Sequence, residues 1–279
     1  MRSAFSPWAA GLSVLGLVAL SSAPLQGETL ENIGKTGNFN VCANPDAMPY
    51  ASEASDNPGF QLDLQQAIAQ LMGWQATVTW LHNRQAAARL GCGGFMGRSI
   101  HDDPDSHLAG ALRPSASHRV TRAYLGTGYV VVLPVGSRTR FASLGELAAD
   151  DLIRRGKPMG VGLGVSAAVQ LQQAGIATVS YLYQEQIIAG VLAGDLSAGL
   201  VARENAAWFL RRRPGTFAQF ELFRVDPAFR WNVGMDLRGA DAGLIAAINQ
   251  IIGRFSRDGT LERIMARYGI AYQPPFPEG

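Results

Sequence analysis

From Asn38 onward, short β-branched or apolar runs alternate with amphipathic helical patterns of about 10 to 15 residues, and this alternation constrains the fold more than any other feature. It comes in two groups, one before Val135 and one after Gly160. That predicts two α/β lobes with mainly parallel sheets, the last helical pattern returning to the first lobe. In the first group, strands are expected at Asn38–Cys42, Ala76–Trp80 and Tyr124–Leu133, with residues 91–97 as a buried strand running into a loop. Helices are expected from Gly59 to Gly73, with Leu62, Leu64, Ile68, Leu71 and Met72 on one face, and at Gln85–Leu90. The second group places strands at Gly160–Leu163, Thr178–Tyr181, Ser197–Val201 and Trp231–Leu237. Its helices follow Ser166, span Gln184–Leu192 and residues 204–211, and close the chain at Ala242–Arg257 and Leu261–Tyr268.

Ahead of these lobes, Arg2 precedes an apolar run from Trp8 to Leu20, followed by small and polar residues through Gly27. These are the charged, hydrophobic and cleavage regions of a secretory signal peptide. The run is shorter than the ~20 residues a spanning helix needs, and no Cys follows it to carry a lipid. Residues 1–27 are therefore expected to leave a soluble, exported chain, cleaved between Ala23 and Glu28, and periplasmic in location. Export bears on Cys42 and Cys92, the only two cysteines. In an oxidising compartment a single pair reads as one disulfide, the alternative being two buried thiols.

The composition excludes other classes. A net charge of +2, or +1 once Arg2 is removed with the leader, gives no basic excess for nucleic acid. At 47% hydrophobic and 16% charged, the chain is not disordered. No nucleophile elbow, P-loop or zinc-protease motif occurs, so no catalytic residues, cofactor or metal are expected. The loop His101–His107 is the densest set of oxygen and nitrogen donors and reads as a solvated surface loop. Gly160–Ser166 is a glycine-rich turn opening a helix, where free backbone N–H groups suit a carboxylate or phosphate. Tyr50, Trp80, Tyr124 and Tyr129 are aromatic candidates for a cleft wall. Arg98, Arg113, Arg119 and Arg122, before the Tyr124 strand, are candidates for an arginine gripping an anion. Arg211-Arg212-Arg213 reads as a solvated helix end.

Four motifs in order resemble the family 3 periplasmic solute-binding proteins of polar amino acid importers. Gly59-Phe60-Gln61-Leu62-Asp63-Leu64 resembles the family signature with Gln61 in place of an acid. Arg119 sits at the carboxylate-gripping position, and Gly160–Ser166 at the second-lobe anion turn with Val165 for Thr. Gly194–Val201 resembles the Gly-x-x-Asp-Ala motif with Ser197 for the acid. The resemblance covers about residues 38–272. It implies the α/β, two-lobe periplasmic binding protein type II fold with a two-segment hinge and a central cleft, with lobe 1 at 28–134 and 238–279 and lobe 2 at 135–237. The ligand-binding residues it implies are Tyr50, Gly97, Arg98, Arg119, Gly164, Val165, Ser166 and Ala202.

Ala202 stands where amino acid binders carry the acid that pairs the ligand ammonium group, with Arg203 and Glu204 next to it, and Ser99–Leu112 reads as an insertion. These departures argue against an ordinary α-amino acid. Val41-Cys42-Ala43-Asn44-Pro45, Met48-Pro49-Tyr50, Trp80, Cys92 with Met96-Gly97, and Thr121–Tyr124 resemble a narrower group, the binding-protein-like partners of quinoprotein methanol dehydrogenases; Cys42 and Cys92 both lie within that match. Two functions follow as expectations. One is a monomeric, non-enzymatic receptor for a small polar or anionic solute, serving an ABC importer permease. The other is an accessory partner of a periplasmic PQQ-dependent dehydrogenase.

Overall fold

The computed structural model describes residues 29–54, 56–82, 90–100, 118–154 and 156–277. The leader, the expected helix Gln85–Leu90 but for its last residue, the His101–His107 loop, Arg113 and nearly all of the expected insertion lie outside the described residues. The strands described are β1 (Asn38–Ala43), β2 (Asp46–Ala47), β3 (Ala51–Ser52), β4 (Gln75–Trp80), β5 (Gly94–Ile100), β6 (His118–Val120), β7 (Leu125–Leu133), β8 (Met159–Gly162), β9 (Thr178–Tyr181), β10 (Ala198–Ala202), β11 (Ala218–Phe220) and β12 (Arg230–Arg238). The main helices are Phe60–Met72, Ala167–Gln173, Gln184–Ala193, Arg203–Arg212, Ala242–Arg257 and Thr260–Ala266. No helix among the described residues is long and apolar enough to cross a membrane.

The sheets are mixed, which corrects the expectation of mainly parallel ones. β1 and β4 pair in parallel, as do β10 with β8 and β8 with β9. The large sheet has the order β5-β12-β7-β10-β8-β9, with β6 on β12 and β11 on β7, and every pairing of β7 and β12 is antiparallel. The reason is topological: β7 carries the chain out of the first lobe and β12 carries it back, so the two run opposed.

Each lobe buries its own apolar core. Phe39, Val41, Phe60, Leu64, Ile68, Met235, Leu244, Ile248, Leu261 and Tyr268 pack together in the first. In the second, Val131, Leu133, Val161, Leu171 and Leu200 pack on one face of the sheet, and Val130, Val132, Ile187, Val201 and Phe223 on the other. The cores divide inside β7 and β12. Leu125 belongs to the first core and Val130 to Leu133 to the second, whereas Val233, Met235 and Leu237 belong to the first. Burial runs nearly unbroken along both strands, so the lobe boundary leaves no mark in the hydrophobic pattern.

The helix Phe60–Met72 shows how the first lobe is locked. Gly73 ends it in the left-handed conformation, φ 69°. Its buried face holds Phe60, Leu62, Leu64, Gln65, Ile68 and Ala69, while Leu71 is 43% exposed and does not join that face. Gln65 is buried because its side-chain amide bridges the sheet, donating to the Phe39 carbonyl at 2.8 Å and the Thr77 carbonyl at 2.9 Å. Cys42 and Cys92 are joined by a disulfide with Cα atoms 5.6 Å apart, in a small cluster with Leu81 and Phe95.

Candidate functional site

A cleft of about 770 Å³ lies where the two cores face each other, within the range of small-molecule sites. The first lobe contributes Asn44, Tyr50, Gln61, Met96 and Gly97, and the second Leu163, Val165, Gln184, Ala202 and Glu204. Leu125, Thr127, Tyr129, Trp231 and Val233 of the crossing strands form the floor.

Local chemistry places each group. The hairpin of β2 and β3 holds Tyr50 over the start of the helix Phe60–Met72. Phe60 N–H donates to the Pro49 carbonyl at 2.9 Å, and Gln61 N–H to the Tyr50 carbonyl at 3.1 Å. The Tyr50 and Phe60 rings pack with centroids 5.3 Å apart. Gly59 makes this approach possible, since a Cβ there would lie 2.3 Å from the Tyr50 carbonyl oxygen. Gly97 likewise leaves room for the Gln61 amide, whose Nε2 would stand 2.6 Å from an added Cβ and donates to Tyr124 Oη at 3.3 Å.

The centre of the site is Glu204, only 1% exposed, in the first turn of the helix that follows β10. Thr127 Oγ1 donates to its carboxylate at 2.6 Å, and the Tyr50 hydroxyl donates across the lobes at 3.4 Å. Burial pushes the Glu204 carboxyl above the usual carboxylate range, and the Thr127 hydrogen bond and the Arg203 charge only partly oppose it. The neighbouring guanidinium is engaged elsewhere: Arg203 donates to the Gly126 and Ala271 carbonyls and lies 5.5 Å from the Phe223 ring centroid. Burial, with the Glu204 charge next, raises Tyr50 well above an ordinary phenol, and burial pushes Tyr129 up to about 12. Both therefore stay neutral hydrogen-bond donors at ordinary pH. The Tyr129 and Trp231 rings, 4.8 Å apart, complete an aromatic wall.

The raised carboxyl yields a stability prediction. The folded chain holds the Glu204 proton more tightly than the unfolded chain does. Stability contributed here thus falls as pH rises from the ordinary carboxylate range through the raised folded-state value, and is level above it. Without solute, Glu204→Gln is expected to stabilise the chain by roughly 1 kcal/mol at pH 8, with the gain vanishing towards pH 4. Urea denaturation at the two pH values checks this.

Of the sequence-predicted site residues, Tyr50, Gly97, Val165 and Ala202 line the cleft together. Arg119 does not: it is exposed on β6, opposite Leu237. Arg98, on the strand face opposite Gly97 and Ser99, pairs with Asp236 at 3.4 Å, and His118 meets the same carboxylate at 3.0 Å. Gly164 and Ser166 stand beside the lining residue Val165 without joining it, and the Ser166 side chain makes no capping hydrogen bond. Ala202 N–H donates to Gln184 Oε1 at 2.7 Å. Trp80 and Tyr124 pack on the first core, and Tyr124 donates to the Met96 carbonyl at 2.8 Å. Sequence reasoning named Glu204 only as a neighbour of Ala202, without a site role, and missed Thr127 and Gln184. The signal for Glu204 was an acid two residues past Ala202, in the first turn of a predicted helix. No group of three or more metal-ligating side chains occurs among the described residues.

No family model matches the chain, and no curated protein is similar to it. Solved structures are similar over most of its length. One is an ancestral cationic amino acid solute binding protein, AncCDT-1, 17% identical with a TM-score of 0.67, covering 86% of this chain and 98% of that one. Another is the periplasmic binding protein XoxJ from Methylobacterium extorquens AM1, at 16% identity and a TM-score of 0.62, covering 86% and 99%. A third is the L-cystine solute receptor of Neisseria gonorrhoeae in the unliganded open conformation, at 15% and 0.62, covering 87% and 98%. At these identities the likeness is one of fold: the chain has the two-lobe α/β architecture of solute-binding proteins.

Proposed function

We propose that this chain is an exported, non-enzymatic binding protein whose inter-lobe cleft holds a small polar solute carrying a hydrogen-bond donor, an amino group foremost, against Glu204. The observation that carries this reading is the buried Glu204 carboxylate, reached from the other lobe by Tyr50 and set in an aromatic wall. Burial of this carboxylate is only partly offset by Thr127, Tyr50 and the Arg203 charge, and a solute cation or N–H donor offsets more of that cost. Arg98 and Arg119, two of the groups expected to grip an anion, do not line the cleft, and this reading places the solute against Glu204 instead. Delivery to an ABC importer permease is the role this reading implies. A thermal-shift panel of small amines, neutral polar solutes and carboxylates tests it. Amines are expected to raise Tm most, and a panel that leaves Tm unmoved counts against the reading.

A second reading, partnership with a PQQ-dependent dehydrogenase, draws on the resemblance of Trp80, Cys92 with Met96-Gly97 and Thr121–Tyr124 to the binding-protein-like partners of quinoprotein dehydrogenases. It draws also on the stretch from Val41 to Tyr50, which ends in a cleft residue and holds one half-cystine. Co-elution with such a dehydrogenase at micromolar concentration supports it, and separate elution opposes it.

A further inference from the structure

Beyond β7 and β12, a third stretch of chain spans the two lobes. Ile270 is buried in the first core and Tyr272 packs against it, whereas Phe276 packs against the second-lobe core. Between these points the C-terminal segment is bonded to both crossing strands. The Tyr272 hydroxyl donates to the Tyr124 carbonyl at 3.2 Å, and Gly126 N–H of β7 donates to the Gln273 carbonyl at 2.9 Å. On β12, the buried Asn232 side chain grips Phe276 twice, donating from Nδ2 to its carbonyl at 3.0 Å and accepting its N–H at 2.8 Å. The Phe276 ring then lies 6.3 Å from Phe223 and 4.7 Å from the Arg230 guanidinium. Gly126 is needed here, since a Cβ there would stand 2.5 Å from the Pro274 carbonyl oxygen.

The same segment reaches the cleft. Arg203, the residue before Glu204, donates to the Ala271 and Gly126 carbonyls, so one guanidinium ties the helix bearing the cleft carboxylate to the segment and to β7. A lobe rotation changes the geometry between β7, β12 and this helix, and the segment is fastened to all three. Lobe motion in such proteins concentrates in the few residues that absorb backbone rotation, and a third bonded segment limits that rotation.

We infer that residues 270–277 form a hinge strap: they set the angle between the lobes of the free protein and fix the position of Glu204 through Arg203. This stands on the hinge geometry alone and needs no solute, so its failure is separable from failure of the solute-binding reading.

The test compares the unliganded full chain with Phe276→Ala, Asn232→Ala and a chain ending at Tyr272. Small-angle scattering reads the lobe angle, and hydrogen exchange reads β7 and β12. Leu171→Ala, a buried second-lobe residue away from the strap, serves as a control for stability loss alone. The strap variants are expected to shift the radius of gyration and to speed amide exchange around Gly126 and Asn232 at least ~5-fold, while the control moves neither preferentially. Should the truncated chain fail to fold, the two point variants carry the same reading. An unchanged radius of gyration and unchanged hinge exchange in Phe276→Ala and Asn232→Ala overturn the inference, as does an equal change at the hinge in Leu171→Ala.

Discussion

Replacing both Cys42 and Cys92 with Ala is expected to cost about 4 kcal/mol, because the disulfide closes a loop of about 50 residues and removes that entropy from the unfolded chain. For a chain of this size that is a fall in Tm of about 8–16 °C. The bond also joins the end of β1 to the approach to β5, which are not hydrogen-bonded neighbours in a sheet. Cys42 lines the cleft, so the loss is felt at the wall that carries Asn44 and Tyr50. Thermal melts of the double variant, and of the wild type with and without reductant, check the prediction. Equal melting temperatures would show that packing around Leu81 and Phe95 holds this corner without the bond.

Gly59→Ala is expected to be nearly as damaging, at least about 3 kcal/mol. Two effects add. The residue sits at φ 99° and ψ 147°, a region that side-chain-bearing residues avoid. An added Cβ would also meet the Tyr50 carbonyl at 2.3 Å and Ala51 N at 2.5 Å, which are backbone atoms of the β2–β3 hairpin and cannot swing aside. Relief requires that the hairpin move away from the helix Phe60–Met72. The bond from Gly59 N–H to the Tyr268 hydroxyl at 3.1 Å and the Tyr50–Glu204 contact would go with it. The variant should therefore lose stability and solute affinity together. A variant that melts like the wild type contradicts the packing described around Tyr50.

Gly59 also shows what the sequence made legible. A glycine opening an amphipathic helix after a Pro-rich loop marked this junction, and the structure supplies the steric reason. Most long elements were legible for a similar reason: their periodicity is local, and helix ends such as Gly73 and Gly194 carry a left-handed glycine. Strands of two or three residues, such as β2, β3, β6 and β11, have too few positions to show a period.

The site was legible only in part. Tyr50, Gly97 and Ala202 face the cleft because motif position follows fold position. Arg119 is exposed on the three-residue strand β6, outside the cleft lining, and its motif position carried no sign of that. Glu204 is visible in the sequence beside Ala202 but carries no motif position that assigns it to the site. Two residues later in the chain, the helix turn still brings a carboxylate into the cleft. Its identity as the buried charge depends on Thr127 and Tyr50, which lie 77 and 154 residues away in sequence.

In the proposed function a solute binds in the cleft against Glu204. Calorimetric titration of the wild type and Glu204→Gln at pH 8, with the amine giving the largest thermal shift, tests it most directly. One-to-one binding to the wild type, weakened by about tenfold or more in a Glu204→Gln chain that melts no lower than the wild type, is the predicted result. Equal affinity in the two proteins would contradict it.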